Sequence, residues 1–247
     1  MQNSKKTRVI ATSVTGALHL NRNTPCQDYY AYRKGKNLVA VVSDGAGSAK
    51  YGRIGARIIC ETLCDMLKNI SFQNADKHLK IAISSARNKL ILHRKNISKS
   101  EKEISNFAAT IIGVIYHKNK GLFFHIGDGA GIAIEQNYNN FVISRPENGS
   151  FSCETFFYTQ DEWLRNLRLT SFNNASTIFL MSDGLTGFSF SPDFLQIEHN
   201  FIAPIDKFLN DAENKSKAIK ALTNTLNTPK AQRINSDDKT LVWIKVN

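Results

Sequence analysis

Three times in 247 residues an apolar run ends in Asp-Gly: "AVVSDGAG" at Asp44, "FFHIGDGAG" at Asp128 and "IFLMSDGLTG" at Asp183. Asp-Gly is a favoured turn dipeptide, because both residues tolerate positive φ, and a single copy predicts a turn and nothing more. Three copies, each delivered by a strand-like segment, predict carboxylates that meet at one edge of a layered sheet. Two further acidic clusters join them, Asp28 in "TPCQDYYAY" and the adjacent Asp237 and Asp238 in "NSDDKTLVWIKV". Carboxylates gathered without matching Arg or Lys repel and shift one another's pKa; a cation removes that conflict. Oxygen donors alone select a hard ion, Mg²⁺ or Mn²⁺, whereas zinc needs His or Cys close by. The only such residue near the three turns is His125, three positions before Asp128. Glycine after the aspartate lets backbone approach an ion closely, and Gly45 has a carbonyl oxygen to offer. Two ions held about 3.5–4 Å apart turn water into hydroxide at neutral pH and clamp a phosphoryl oxygen, so the chemistry predicted is hydrolysis of a phosphate ester.

Other phosphate chemistries fail on the residues. "GSAKYGR" spaces Gly47 and Gly52 like a P-loop but has Arg53 where lysine is required, and "DGAGSA" lacks the third glycine of a dinucleotide fingerprint. No cysteine lies in a glycine-rich phosphate loop and no Gly-x-Ser-x-Gly elbow is present.

The elements that must position the acids follow from periodicity. Residues 8–14 and 38–43 read as strands. Residues 51–70 and 76–95 carry apolar side chains at helical spacing. Residues 107–117, 121–128, 131–136 and 141–145 read as short strands of an antiparallel meander. Residues 146–175 read as irregular, with a short helix around Asp161–Leu169; 176–184 is a strand, 201–226 supplies two helices, and "KTLVWIKVN" closes the chain as β. Blocks of strands and blocks of helices predict α+β layers. With 42% hydrophobic residues and no linker, one domain spanning 1–247 is expected.

No apolar stretch approaches the ~20 residues that span a bilayer, and "MQNSKKTRVIATS" lacks the apolar core of a signal peptide; a cytoplasmic protein with no membrane partner is expected. Cys26, Cys60, Cys64 and Cys153 contain no C-x-x-C pair and read as reduced, mostly buried thiols. The net charge of +11 and pI near 9.5 suit nucleic acid in principle. The lysines are spread through the chain, however, and a nucleic-acid partner leaves the acidic motifs unexplained.

Taken in order, these segments resemble the metal-dependent protein phosphatases of type 2C, in particular the bacterial branch with a Cys-Gln-Asp motif near the N-terminus. "CQD", "SDGAGS", "NFAATIIGV", "IGDGAG", "MSDGLTG" and "SDDKT" match the family's motifs in the family's order. The resemblance implies a four-layer α-β-β-α sandwich, with two antiparallel sheets face to face, helices outside, and a two-metal Mn²⁺ or Mg²⁺ site at one end. It implies that Asp44 bridges both ions and positions the nucleophilic water, that Gly45 lends its carbonyl, and that Asp183 and Asp237 hold one ion. Asp28 acts as a ligand or through bound water, and Asp128 matches an aspartate that helps hold a third, weaker ion. Gln27, where many relatives carry Glu, is expected to hydrogen-bond behind the ligands. Asp238 sits beside Asp237, and the spacing to Thr240 selects Asp237 as the ligand.

Two positions depart from the family pattern. Ala46 stands where many eukaryotic relatives have a histidine as general acid. The expected phosphate-gripping arginine falls near Asn23, so Arg22 either takes that role or is an ordinary exposed arginine; His19 in the same segment reads as a packed or capping residue. The implied activity is a serine/threonine protein phosphatase in which a hydroxide activated between two metal ions attacks phosphorus in line. Its implied partners are a phosphorylated protein substrate and a cognate serine/threonine kinase. The alternative is an inactive pseudophosphatase that binds phosphoproteins as a regulatory module. Residues 146–175 are expected to form a flap beside the site, where Phe151, Phe156, Phe157, Tyr158 and Trp163 contact substrate or, for most of them, pack into the core.

Overall fold

Strands form where Val, Ile and Phe crowd together, and the computed structural model places ten of them in two antiparallel sheets among its described residues, 7–97, 104–136, 138–147 and 155–246. Sheet A contains β1 (Arg8–Val14), β6 (Ala130–Ile134), β7 (Phe141–Ser144), β9 (Thr177–Met181) and β10 (Lys239–Lys245), in the spatial order β1-β10-β9-β6-β7. Sheet B contains β2 (Tyr29–Lys34), β3 (Leu38–Ser43), β4 (Ile111–His117), β5 (Lys120–Ile126) and β8 (Arg168–Asn173), in the order β2-β3-β4-β5-β8.

Each strand's side chains alternate between two faces, and here both faces are covered. Val39, Val41 and Phe124 of sheet B pack under α2 (Gly52–Leu67) and α3 (Ala75–Ile97), against Ile59, Leu63 and Leu79. Ile132, Phe179 and Trp243 of sheet A pack under α6 (His199–Asp211) and α7 (Lys215–Leu226), against Ile202, Leu209 and Leu222. Between the sheets, Val42, Val114 and Phe123 meet Leu180, Val242 and Ile244. Coverage on both faces is why these strands are continuous apolar runs rather than polar-apolar alternations. It yields the four-layer α-β-β-α sandwich. Cys60 and Cys64 are fully buried on the sheet-facing side of α2. Away from the strand ends, the buried Asp206 is satisfied by side chains of sheet A and its loops: it accepts hydrogen bonds from Trp243 Nε1 (2.8 Å), Tyr138 Oη (2.6 Å) and Thr177 Oγ1 (3.2 Å).

The sequence reading needs several corrections. The meander of 107–145 is split, since β4 pairs with β5 in sheet B whereas β6 pairs with β7 in sheet A. The crossing is made at Gly127-Asp128-Gly129, where Gly127 has φ +109°, a conformation that side chains rarely allow. Residues 146–175 are not irregular throughout, because Arg168–Asn173 is an edge strand in register with β5. The helix expected around Asp161–Leu169 shrinks to α4 (Trp163–Asn166). The strand expected from 107 begins at Ile111, after a 3₁₀ turn over Ile104–Phe107. Three elements had no forecast: β2, α1 (Ala17–Asn21) and α8 (Pro229–Ile234); a fourth, α5 (Thr186–Ser189), is one turn long.

Candidate metal centre

The three Asp-Gly turns and both flanking acidic segments come together at one end of the sandwich. Asp44 follows β3, Asp128 lies between β5 and β6, Asp183 follows β9, Asp28 precedes β2 and Asp237 precedes β10. Burial and the neighbouring charges of Asp28, Asp183, Asp237 and Asp128 push the Asp44 carboxyl well above the usual range. Asp183 is raised by burial and then by Asp128, Asp237 and Asp28. Burial lifts Asp28 to about 7 against an opposing hydrogen bond from Ser182, and Asp238 adds repulsion. Asp128 is raised chiefly by burial. Five carboxylates therefore share one pocket of field, and among the described residues none of the five is ion-paired to a lysine or arginine.

The backbone that presents them is fixed by small polar residues. Thr110, from "NFAATIIGV", accepts the Asp44 N–H on Oγ1 (3.0 Å), donates its own N–H to the Asp44 carbonyl (2.8 Å), and takes the Ser43 hydroxyl on its carbonyl (2.6 Å). Ser182 donates to Asp28 Oδ2 (2.7 Å) and accepts the Thr240 N–H (2.9 Å), so one hydroxyl joins the ends of β9 and β10 to Asp28. Thr155 donates to Asp128 Oδ2 (2.7 Å). Gly45 is held against Gly52 at the start of α2: a Cβ on Gly45 would lie 2.3 Å from the Gly52 carbonyl carbon. Close packing of the turn on α2 thus already forbids a side chain there, apart from any approach to an ion.

The adjacent aspartates divide their tasks. Asp238 is buried and saturated: Oδ1 accepts the Gly16 N–H (2.7 Å), Oδ2 accepts the Gln27 N–H (2.6 Å), and Oδ2 lies 2.8 Å from His19 Nδ1. Asp237 Oδ1 accepts the Asp238 N–H (2.8 Å), and the carboxylate is otherwise free of hydrogen-bond donors among the described residues. Gln27 accepts the Gly45 N–H on its carbonyl (3.3 Å) and the Arg53 N–H on Oε1 (3.0 Å), so it braces the Asp44 turn and α2. Arg22 is exposed at the C-cap of α1. That helix is docked beside Asp237 through Leu18 N–H to the Ser236 carbonyl (3.0 Å).

Sequence reasoning missed two contributors, Arg53 and Lys239, while His19 is buried as expected. Arg53 donates to the Cys26 and Asp28 carbonyls and clamps the Cys-Gln-Asp segment; it had been considered only as a misplaced P-loop residue. Lys239 is fully buried, with Nζ on the Asp237 carbonyl (2.7 Å) and on Gln232 Oε1 (3.3 Å). His19, expected to pack or cap, brings an imidazole nitrogen within 4.8 Å of a carboxylate oxygen of both Asp237 and Asp238. In the flap region, Tyr158 is core, fully buried with its hydroxyl on the Gly55 carbonyl (2.9 Å), and Phe156 and Trp163 pack on the same cluster. Phe151 and Cys153 lie outside the described residues.

Fit to a hard cation rests on the donor set. Asp28 Oδ1, Asp128 Oδ1 and Asp183 Oδ1 are buried without a hydrogen-bond partner, a condition that costs about 1–3 kcal/mol for a neutral group and more for a charged one. Orphaned carboxylate oxygens from separate strand ends suit an oxygen-preferring divalent ion.

A two-sheet α-β-β-α sandwich with a carboxylate-lined candidate cation site at the strand ends is the class that fold and site define. The sequence matches the profile of the family Protein phosphatase 2C over residues 15–233, and the chain belongs to that family. It is similar to serine/threonine-protein phosphatase 3 of Escherichia coli (strain K12), 25% identical over 246 residues covering 95% of this chain and 96% of that one. The fold is shared with Staphylococcus aureus serine/threonine phosphatase Stp1, at TM-score 0.67 and 14% identity over 100% of this chain and 98% of the other. It is shared also with the catalytic domain of serine threonine protein phosphatase PstP in complex with 2 manganese ions, at TM-score 0.66 and 15% identity over 97% of each chain.

Proposed function

We propose that the chain is a Mn²⁺- or Mg²⁺-dependent serine/threonine protein phosphatase. The observation that supports it most strongly is the convergence of Asp28, Asp44, Asp128, Asp183 and Asp237, three of them with orphaned buried oxygens. In this reading Asp44, the Gly45 carbonyl, Asp183 and Asp237 would hold two ions, and Asp28 would act directly or through water. Asp128 holds a third, weaker ion. When bound, such ions acidify water for attack on phosphorus and neutralise charge on the phosphoryl group.

The chain's own residues supply position. Thr110 and Gln27 fix the Asp44 turn, Ser182 orients Asp28, and Asp238 is spent on anchoring the segment of residues 16–27, which supports Asp237 as the ligand of the pair. Arg22, on the docked α1, is the side chain assigned to grip the substrate phosphate. No histidine stands at position 46, and His19, held against Asp238, is the imidazole beside the acidic cluster. An intact carboxylate set argues against a pseudophosphatase, which has no need to keep five unpaired acids together. The substrate is a phosphorylated protein, and the reading includes a cognate serine/threonine kinase and a cytoplasmic setting, which the free thiols of Cys26, Cys60 and Cys64 support.

Asp44→Asn tests the assignment. It should abolish Mn²⁺-dependent hydrolysis of p-nitrophenyl phosphate and of a phosphothreonine peptide while leaving the circular dichroism spectrum of the folded protein near wild type. Retained metal-dependent turnover in that variant would overturn the reading.

A further inference from the structure

Arg168 opens the edge strand β8, directly opposite His125 of β5. Its guanidinium reaches two separate segments, residues 125–127 and 145–147. Nη2 donates to the Gly127 carbonyl (3.3 Å), Nη1 donates to the Arg145 carbonyl (2.8 Å), and Nε lies 2.5 Å from Glu147 Oε2. Nη2 also lies 3.2 Å from Nδ1 of His125, which is fully buried, has Ser144 Oγ at 3.1 Å and is held neutral by its burial. Glu147, paired with Arg168, sends its own N–H to the same Gly127 carbonyl (3.0 Å).

That carbonyl belongs to the peptide that joins Gly127 to Asp128. Gly127 has φ +109°, and a Cβ there would meet the Thr110 methyl at 2.7 Å, so the turn requires glycine, whose backbone is the least restrained of any residue. A peptide plane next to a glycine rotates easily, and its rotation swings the Asp128 carboxylate. Two donors on one carbonyl oxygen, one from Arg168 and one from the residue Arg168 pairs with, stop that rotation. As a partly exposed ion pair Arg168–Glu147 is worth little; its placement on the Gly127 carbonyl is what gives it a task.

We propose that Arg168 is a positioning residue for the Asp128 carboxylate, and so sets the affinity of the cation held through Asp128. The inference rests on the phosphatase reading above, which supplies that cation. Calorimetric titration of Mn²⁺ into the wild type, Asp44→Asn, Asp128→Asn, Arg168→Met and the Asp128→Asn/Arg168→Met double variant tests it. The component lost in Asp128→Asn defines the Asp128-dependent site. Arg168→Met should weaken that component about tenfold, the low end of the effect of partners that orient a ligand, and leave the Asp44-dependent components unchanged. In the Asp128→Asn background Arg168→Met should change nothing further. Equal weakening of every component, or an unchanged Asp128-dependent component, would overturn the proposal. If Arg168→Met fails to fold, Arg168→Lys replaces it. Lysine keeps the charge but lacks the planar fork that serves several acceptors at once, and it should still weaken the Asp128-dependent component selectively. Failure of Asp128→Asn to alter any component removes this inference alone, whereas failure of Asp44→Asn to do so removes the phosphatase reading itself.

Discussion

At Asp237 and Asp238 two neighbouring carboxylates meet opposite fates: one is filled by Gly16, Gln27 and His19, the other faces the acidic cluster. Residue type and spacing named the pair, and a match to Thr240 chose between them. What spacing did not carry was the reason, because the donors that occupy Asp238 come from residues more than 200 positions away. Gly45 is a similar case. Its lack of a side chain reads as room for an ion, and the structure adds the Gly52 backbone pressed against it. Gly45→Ala should therefore destabilise the protein by about 1–3 kcal/mol, as overpacking does, even in EDTA, where no ion competes for the space. Urea denaturation measures this; an unchanged midpoint would mean that the turn and α2 separate freely.

On the scale of elements, the segments legible in the sequence are those buried on both faces. β1 and β3 fall at the residues expected, since strands covered on both faces are rich in Val, Ile and Ala. β8 escaped because its sequence, "RLTSFN", is mixed and only Phe172 of it is buried. α1 escaped because five residues give no period to detect. That short helix is nonetheless anchored at Gly16, Ala17 and Leu18, on Asp238, Gln232 and the Ser236 carbonyl. Removing the Asp238 carboxylate strands the buried Gly16 N–H, at a cost of about 1–3 kcal/mol when unsatisfied, and the part-buried Gln27 N–H. Asp238→Ala should thus release residues 16–27 before the sheets, seen as faster amide hydrogen exchange in that segment while β9 keeps its protection. Uniform loss of protection across both would instead point to global unfolding.

Across the whole molecule the acidic end is a store of electrostatic cost. Asp28, raised from 3.8 to about 7, with Asp44, Asp128 and Asp183 shifted in the same direction, binds its proton more tightly folded than unfolded. Such groups favour folding at low pH and withdraw that support as pH rises through the folded pKa. The metal-free protein should therefore lose melting temperature between about pH 5 and about pH 7.5. Saturating Mn²⁺ should reverse the trend, since it binds the ionised carboxylates and adds about 2.7 kcal/mol per site at a hundredfold excess over Kd. Thermal melts in EDTA and in Mn²⁺ across that range give both signs at once, and a melting temperature in EDTA that does not fall with pH would contradict the acidic cluster's energetics.

β10 lies between β1 and β9 at the centre of sheet A's first half, and Asp237 immediately precedes it. A chain emerging from the ribosome therefore carries Asp28 for roughly 10 to 40 seconds, at ordinary rates of synthesis, before Asp237 exists. Throughout that time β1 has no neighbour to pair with. Assembly of the acidic cluster is thus timed by translation: a nascent chain that already displays Asp28, Asp44, Asp128 and Asp183 still lacks Asp237, and under the proposed assignment it gains activity only once β10 has paired.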